Sequence, residues 1–182
     1  MVRHLFIVNA PVGLPHDEAD MVNPPPDELR AALYSCAAVS RWVDEVAAAA
    51  PFDSSHDLLE AAREATPFSA AEIDEALGDH PRIGEKHASN TAAAVFSRNE
   101  QAASETEDET LARALADGNA DYEQRFGRIF LIRAKGRTRP EIVAELRRRL
   151  TLDDATELAT VSGELRDIAL LRLESIYAEQ LS

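Results

Sequence analysis

Cysteine is almost absent: Cys36 stands alone in 182 residues, which excludes an intramolecular disulfide and points to a reducing compartment. Aromatic residues reach only 5%, while alanine is abundant, a balance that favours helices over sheet. No apolar run approaches the roughly 20 residues that a membrane helix needs, so no membrane association is expected. Basic charge is also short, with 19 Lys and Arg against 33 Asp and Glu and a formal net charge of −14. That balance speaks against a nucleic-acid partner, because phosphate backbones attract basic proteins. The start, Met1 to Val8, is too short for a secretory signal, and Gln180-Leu181-Ser182 is not a peroxisomal address, so the expected location is cytoplasmic. Several common chemistries lack their signatures: there is no P-loop, no GxGxxG, no GxSxG elbow and no CxxC.

What is present reads as a single all-α domain, a bundle of about seven to nine helices with no significant sheet. Five of the nine prolines fall in the first 26 residues, so residues 1–26 are expected to form an irregular arm and 27–182 the helical domain. Asp27 offers a cap for a helical stretch to about Ala50, broken near Ser40, and Pro51 stops it. A short helix is expected from about Asp57 to Ala65. Ser69-Ala70-Ala71-Glu72 is a capping box that opens a helix to Leu77, ended by Gly78. A shaped loop, 79–88, carries His80-Pro81-Arg82-Ile83-Gly84-Glu85-Lys86-His87, and Ser89 or Asn90 then caps a helix through Ala103. The next helix starts in the acidic run Glu105–Glu109, with a possible interruption at Gly118. Residues 129–134 have a strand-like composition. Without a second candidate strand they are expected to be a buried extended segment or a short helix. Thr138-Arg139-Pro140-Glu141 opens another helix, and the last spans about Asp154 to Glu179.

Some residues break these patterns. In the last helix Leu158, Val161, Leu165 and Ile168 form a core stripe, and the next positions are Arg172 and Ile176. Arg172 either snorkels to solvent or is aimed into a pocket, where its planar guanidinium would grip a carboxylate bidentately. Ser97, Glu100 and Gln101 share one helix face, which is either solvated or lines a cavity. His80, locked by the following Pro81, suits acid/base work near neutral pH but is equally read as a satisfied surface histidine. A metal held by His80, Glu85 and His87 is the rival use, though their spacing matches no established zinc pattern. Nine of the 19 basic residues lie between Arg125 and Arg149, available for an anionic substrate, for acidic helices or for an interface. Cys36, in an apolar stretch, reads as a buried inert thiol.

The ordered set His80-Pro81, then Ser97-Arg98-Asn99-Glu100-Gln101, Asn119-x-x-Tyr122, Phe126-Gly127, Phe130, Gly136-Arg137 and Ile168-x-x-Leu171-Arg172-Leu173 resembles the 2-oxo-4-hydroxy-4-carboxy-5-ureidoimidazoline (OHCU) decarboxylase family. Leu33-x-x-Cys36 and Trp42 are similar to the family's first helices, and the resemblance covers roughly residues 28 to 180. It implies an all-α homodimer, without metal or organic cofactor, that converts OHCU to (S)-allantoin and CO₂ in urate degradation. By the same resemblance His80 would be the acid/base, Glu100 would hold or help ionise the substrate or His80, and Arg172 would grip an anionic edge of the substrate. Pro81, Ser97, Arg98, Asn99, Glu100, Gln101 and the run Phe130, Leu131, Ile132, Arg133, Ala134 would line the substrate, which is the partner expected. Two departures stand out: Ala102-Ala103 where many members carry a glycine, and Arg133 where a small residue or cysteine is common. The readings that compete are a non-catalytic helical interaction module and a metal-assisted ureide amidohydrolase.

Overall fold

The computed structural model describes residues 24–78, Ile83 and residues 109–178. These hold seven helices and no strand: α1 (Pro26–Cys36), α2 (Ser40–Ala48), α3 (Ser55–Glu64), α4 (Ala70–Leu77), α5 (Glu109–Phe126), α6 (Arg139–Arg149) and α7 (Asp154–Ala178). None of the described helices is long and apolar enough to cross a membrane. Most of the expected arm, residues 1–23, lies outside the described residues.

Local chemistry explains most of the boundaries. The expected cap at Asp27 is corrected: α1 already begins at Pro26, and the Pro25 carbonyl accepts the Leu29 amide at 3.0 Å. Proline costs nothing there, since its missing N–H would be unpaired at a helix start in any case. The break expected near Ser40 falls at residues 37–39, and Ser54 rather than Asp57 sets the start of α3 by accepting the Asp57 amide. The Ser69–Glu72 capping box forms as expected. The box at α6 also forms, with Glu141 accepting the Thr138 amide at 2.7 Å. Asp153 accepts the Thr156 amide at 2.9 Å and so starts α7.

Gly118 does not interrupt α5, which is continuous across it. A Cβ built there would lie 2.5 Å from Leu146 Cδ2, so the absence of a side chain lets α5 approach α6 closely.

The apolar side chains form two clusters. The larger gathers α1–α4 around α7, with Leu33, Trp42, Leu58, Ile73, Leu165 and Leu173 among its buried members. The smaller joins α5 and α6 through Leu115, Tyr122, Ile142 and Leu146. Residues 129–134 run between them outside any helix, and their side chains alternate between the two clusters, the pattern of an extended chain. Phe130, Ile132 and Ala134 enter the smaller cluster, while Leu131 enters the larger. The strand-like composition therefore reflects a segment buried on both sides, a role that needs no sheet.

Candidate functional site

Arg172 projects from the core-facing stripe of α7 and is 2% exposed, so it does not snorkel. Its Nη1 donates to the Cys36 carbonyl at 3.2 Å, at the C-terminal end of α1. A cation suits the negative end of that helix dipole. Buried arginines are uncommon, and a guanidinium presents several N–H groups in one plane. Arg172 is thus held in the protein interior, against the C-terminal end of α1. Cys36 is buried, as its apolar stretch leads one to expect.

The second described part of the site is the segment 129–134, which neighbouring side chains hold from both helices behind it. Arg149, at the end of α6, is fully buried and donates from Nη1 to the Leu131 carbonyl at 2.8 Å. Its Nε donates to both oxygens of Glu157, at 2.9 and 3.1 Å, and its Nη2 to the Tyr122 hydroxyl at 3.3 Å. The Tyr122 hydroxyl in turn donates to Glu157. Burial, reinforced by that carboxylate, raises the tyrosine pKa, so the hydroxyl stays protonated as a donor. The Arg149 guanidinium also lies 4.7 Å from the centre of the Phe130 ring. Two residues along the segment, the Arg133 amide donates to Glu164 of α7 at 2.7 Å, and Arg137 pairs with the same carboxylate at 3.1 Å.

Both clamps act on odd-numbered residues. In an extended chain, the backbone groups of alternate residues point to opposite edges. The Ile132 N–H and C=O therefore face away from the clamps, and neither makes a hydrogen bond within the described residues. Ile132 is nonetheless 5% exposed.

A third contact reaches Ile83, which lies close to His80 in sequence. Asn119 of α5, 7% exposed, donates from Nδ2 to the Ile83 carbonyl at 3.0 Å. Ile83 itself is buried in the smaller cluster, three residues beyond the histidine in sequence.

Of the residues expected from sequence, the structure therefore describes Arg172 and the run Phe130, Leu131, Ile132, Arg133, Ala134. His80, Pro81, Ser97, Arg98, Asn99, Glu100 and Gln101 lie outside the described residues, as do Ala102-Ala103 and the rival metal ligands Glu85 and His87. Among the described residues no cluster of His, Cys, Asp or Glu could hold a metal ion.

Sequence reasoning missed the jobs of Arg149, Glu157 and Glu164. The signal was legible in part, because Glu157 and Glu164 follow the three-four spacing that leads through Val161 and Ile168 to Arg172. The basic excess between Arg125 and Arg149 resolves largely into internal contacts: Arg128 with Asp74 at 3.9 Å, Arg137 with Glu164, Arg148 with Glu145 at 2.7 Å, Arg149 with Glu157 and Arg125 with the Leu152 carbonyl.

The chain is similar to known proteins. Residues 23–174 match the OHCU decarboxylase family. A 2-oxo-4-hydroxy-4-carboxy-5-ureidoimidazoline decarboxylase of Haloferax volcanii is 31% identical over 147 residues, covering 78% of this chain and 84% of that one. The uric acid degradation bifunctional protein TTL of Arabidopsis thaliana is 32% identical over 109 residues, covering 58% of this chain and 34% of that one. In fold, the chain resembles an OHCU decarboxylase crystallised in the presence of (S)-allantoin. The TM-score is 0.66 at 24% identity, covering 80% of this chain and 96% of the other.

Proposed function

The chain belongs to the OHCU decarboxylase family, and from that membership we propose that it removes CO₂ from OHCU to give (S)-allantoin in urate degradation. The observation that carries the reading is Arg172, a buried arginine on the core-facing stripe of α7, within the span that matches the family.

The chemistry asks little beyond the chain's own groups. When the bond between the ring carbon and its carboxylate breaks, the electron pair moves toward the adjacent C=N of the ring. CO₂ leaves and the ring nitrogen that received the pair takes up a proton; the hydroxyl on the same carbon then gives up its proton to become a carbonyl, and a proton adds to the neighbouring ureido-bearing carbon. Delivery of that proton to one face fixes the hand of the allantoin. His80 is the acid/base for these transfers, a role worth roughly 10²- to 10⁴-fold in rate. Glu100 holds or helps ionise the substrate or His80. Arg172 binds an anionic edge of the substrate, and orientation against the fixed wall provides the rest.

Pro81, Ser97, Arg98, Asn99 and Gln101 line the substrate together with the segment 130–134. The Ile132 N–H and C=O are suited to the alternating donors and acceptors of a ureido group. Because the substrate's own ring accepts the electrons, the reaction is proposed to run without metal or organic cofactor. Function as a homodimer belongs to the same reading, and sedimentation velocity on the full chain tests it.

The catalytic assignment is tested by generating OHCU in situ from urate with urate oxidase and hydroxyisourate hydrolase, and following its ultraviolet decay. His80→Ala is expected to return the decay to the spontaneous rate while retaining the helical circular dichroism spectrum. A folded His80→Ala protein with the wild-type rate would remove the histidine from the mechanism.

A further inference from the structure

The Arg149–Glu157 pair poses a question that the proposed chemistry leaves open. Both residues are 0% exposed, and removing two charges from water costs several kcal/mol per ion, which their mutual attraction only roughly offsets. Apolar residues of similar size would hold this part of the core equally well. What they could not do is donate to a backbone carbonyl, and Arg149 spends its Nη1 on that of Leu131. Tyr122 and Glu157 bond the guanidinium on its other nitrogens, and the Phe130 ring lies beneath it, so the arginine has little freedom to turn. Glu164 fixes the segment again through the Arg133 amide at 2.7 Å. Two fixed points, two residues apart in an extended chain, determine which way the peptide groups between them face.

We infer that Tyr122, Arg149 and Glu157, together with Glu164, are positioning residues for the decarboxylation: they clamp Leu131 and Arg133 from behind so that the Ile132 N–H and C=O are presented to the substrate. This inference rests on the proposed function, in which segment 130–134 lines the substrate. None of the four residues needs to touch the reacting atoms. Their effect is on the orientation of the substrate, and hence on which of its faces receives the proton.

The test replaces the whole charged unit rather than one partner, because a lone buried charge would unfold the protein for reasons unrelated to catalysis. The triple variant Y122F/R149M/E157L removes every polar group of the unit at similar volume. It is expected to keep its helical circular dichroism and cooperative melting. Its kcat/KM for OHCU should fall about 10- to 100-fold, the scale on which displacements of about 1 Å act, with KM rising more than kcat falls. The enantiomeric excess of (S)-allantoin should fall with it, a readout that a purely structural role would not move. The milder variant Glu164→Ala, which leaves the buried pair intact, should shift both quantities in the same direction by a smaller factor.

A folded triple variant with wild-type kcat/KM and wild-type enantiomeric excess would overturn the inference. If the triple variant does not fold, wild-type kinetics and product purity in Glu164→Ala overturn it instead. A wild-type protein that leaves OHCU decay at its spontaneous rate would overturn the proposed function itself, a result distinct from either of these.

Discussion

Gly118→Ala is expected to destabilise the protein even though alanine is the better helix former. In a helix interior the exchange gains about 0.8–1 kcal/mol from propensity alone. Here the new methyl would stand 2.5 Å from Cδ2 and 3.1 Å from Cγ of Leu146, well inside contact distance. Leu146 is 0% exposed within the smaller cluster, so it cannot swing out to solvent. Overpacking of this kind costs about 1–3 kcal/mol, which outweighs the propensity gain and leaves a net loss of about 1 kcal/mol. For a domain of this size the loss lowers Tm by about 2–4 °C. Leu146→Ala alone opens a cavity and should cost about 2–5 kcal/mol. Combined with Gly118→Ala it should cost less than the sum, by a coupling of about 1–2 kcal/mol, because the methyl then fills part of the space. Urea denaturation of the four proteins, followed by circular dichroism at 222 nm, measures the cycle. A stabilised Gly118→Ala protein, or strictly additive effects, would refute the claim that α5 and α6 touch at this glycine. Under the proposed function the contact also bears on catalysis, because Asn119, the next residue, holds the carbonyl of Ile83, three residues beyond His80 in sequence.

Three further outcomes follow from separate contacts. Arg172→Lys, which keeps the charge but loses the planar fork, should lower kcat/KM for OHCU by about 10- to 100-fold, the worth of one charge-assisted hydrogen bond. Steady-state kinetics check this, and comparable losses in KM and kcat would argue against a purely transition-state role. Ser162→Ala should cost about 1–3 kcal/mol in chemical denaturation, because the buried Phe68 amide loses the hydroxyl that accepts it at 2.9 Å. Glu72 has its carboxyl held down to about 2, chiefly by the Arg41 guanidinium and further by the Ser69 amide. A depressed folded pKa gives stability that is fully present above the unfolded value, about 4.3, and is lost as pH falls toward the folded value. Allowing for solvent screening, wild type should exceed Glu72→Gln by about 1–2 kcal/mol at neutral pH. The two should converge as the pH is lowered to about 2, which unfolding measured from pH 7 to 2 would show.

Much of the fold was legible because its boundaries are set by local chemistry. The Ser69–Glu72 box, the Thr138–Glu141 pair and the break before Ser40 are decided by residues within a few positions of one another. Gly118 was misjudged for the opposite reason. Its meaning lies in Leu146, a residue of another helix that no local pattern reveals. The segment 129–134 gave its burial away by composition, but its clamping by Arg149 and Glu164 depends on which helices lie behind it. Arg172 could be read from spacing alone as a residue out of place, whereas its depth could not. The same spacing carried Glu157 and Glu164, whose significance rests on partners 8 and 31 residues away.

Circular dichroism of the product is the most direct test of the central claim. OHCU would be generated in situ from urate and its decay compared with and without the purified protein. Decay well above the spontaneous rate, with accumulation of optically active (S)-allantoin, is the predicted result. Decay at the spontaneous rate with racemic allantoin would contradict the account and move a non-catalytic interaction role to the front.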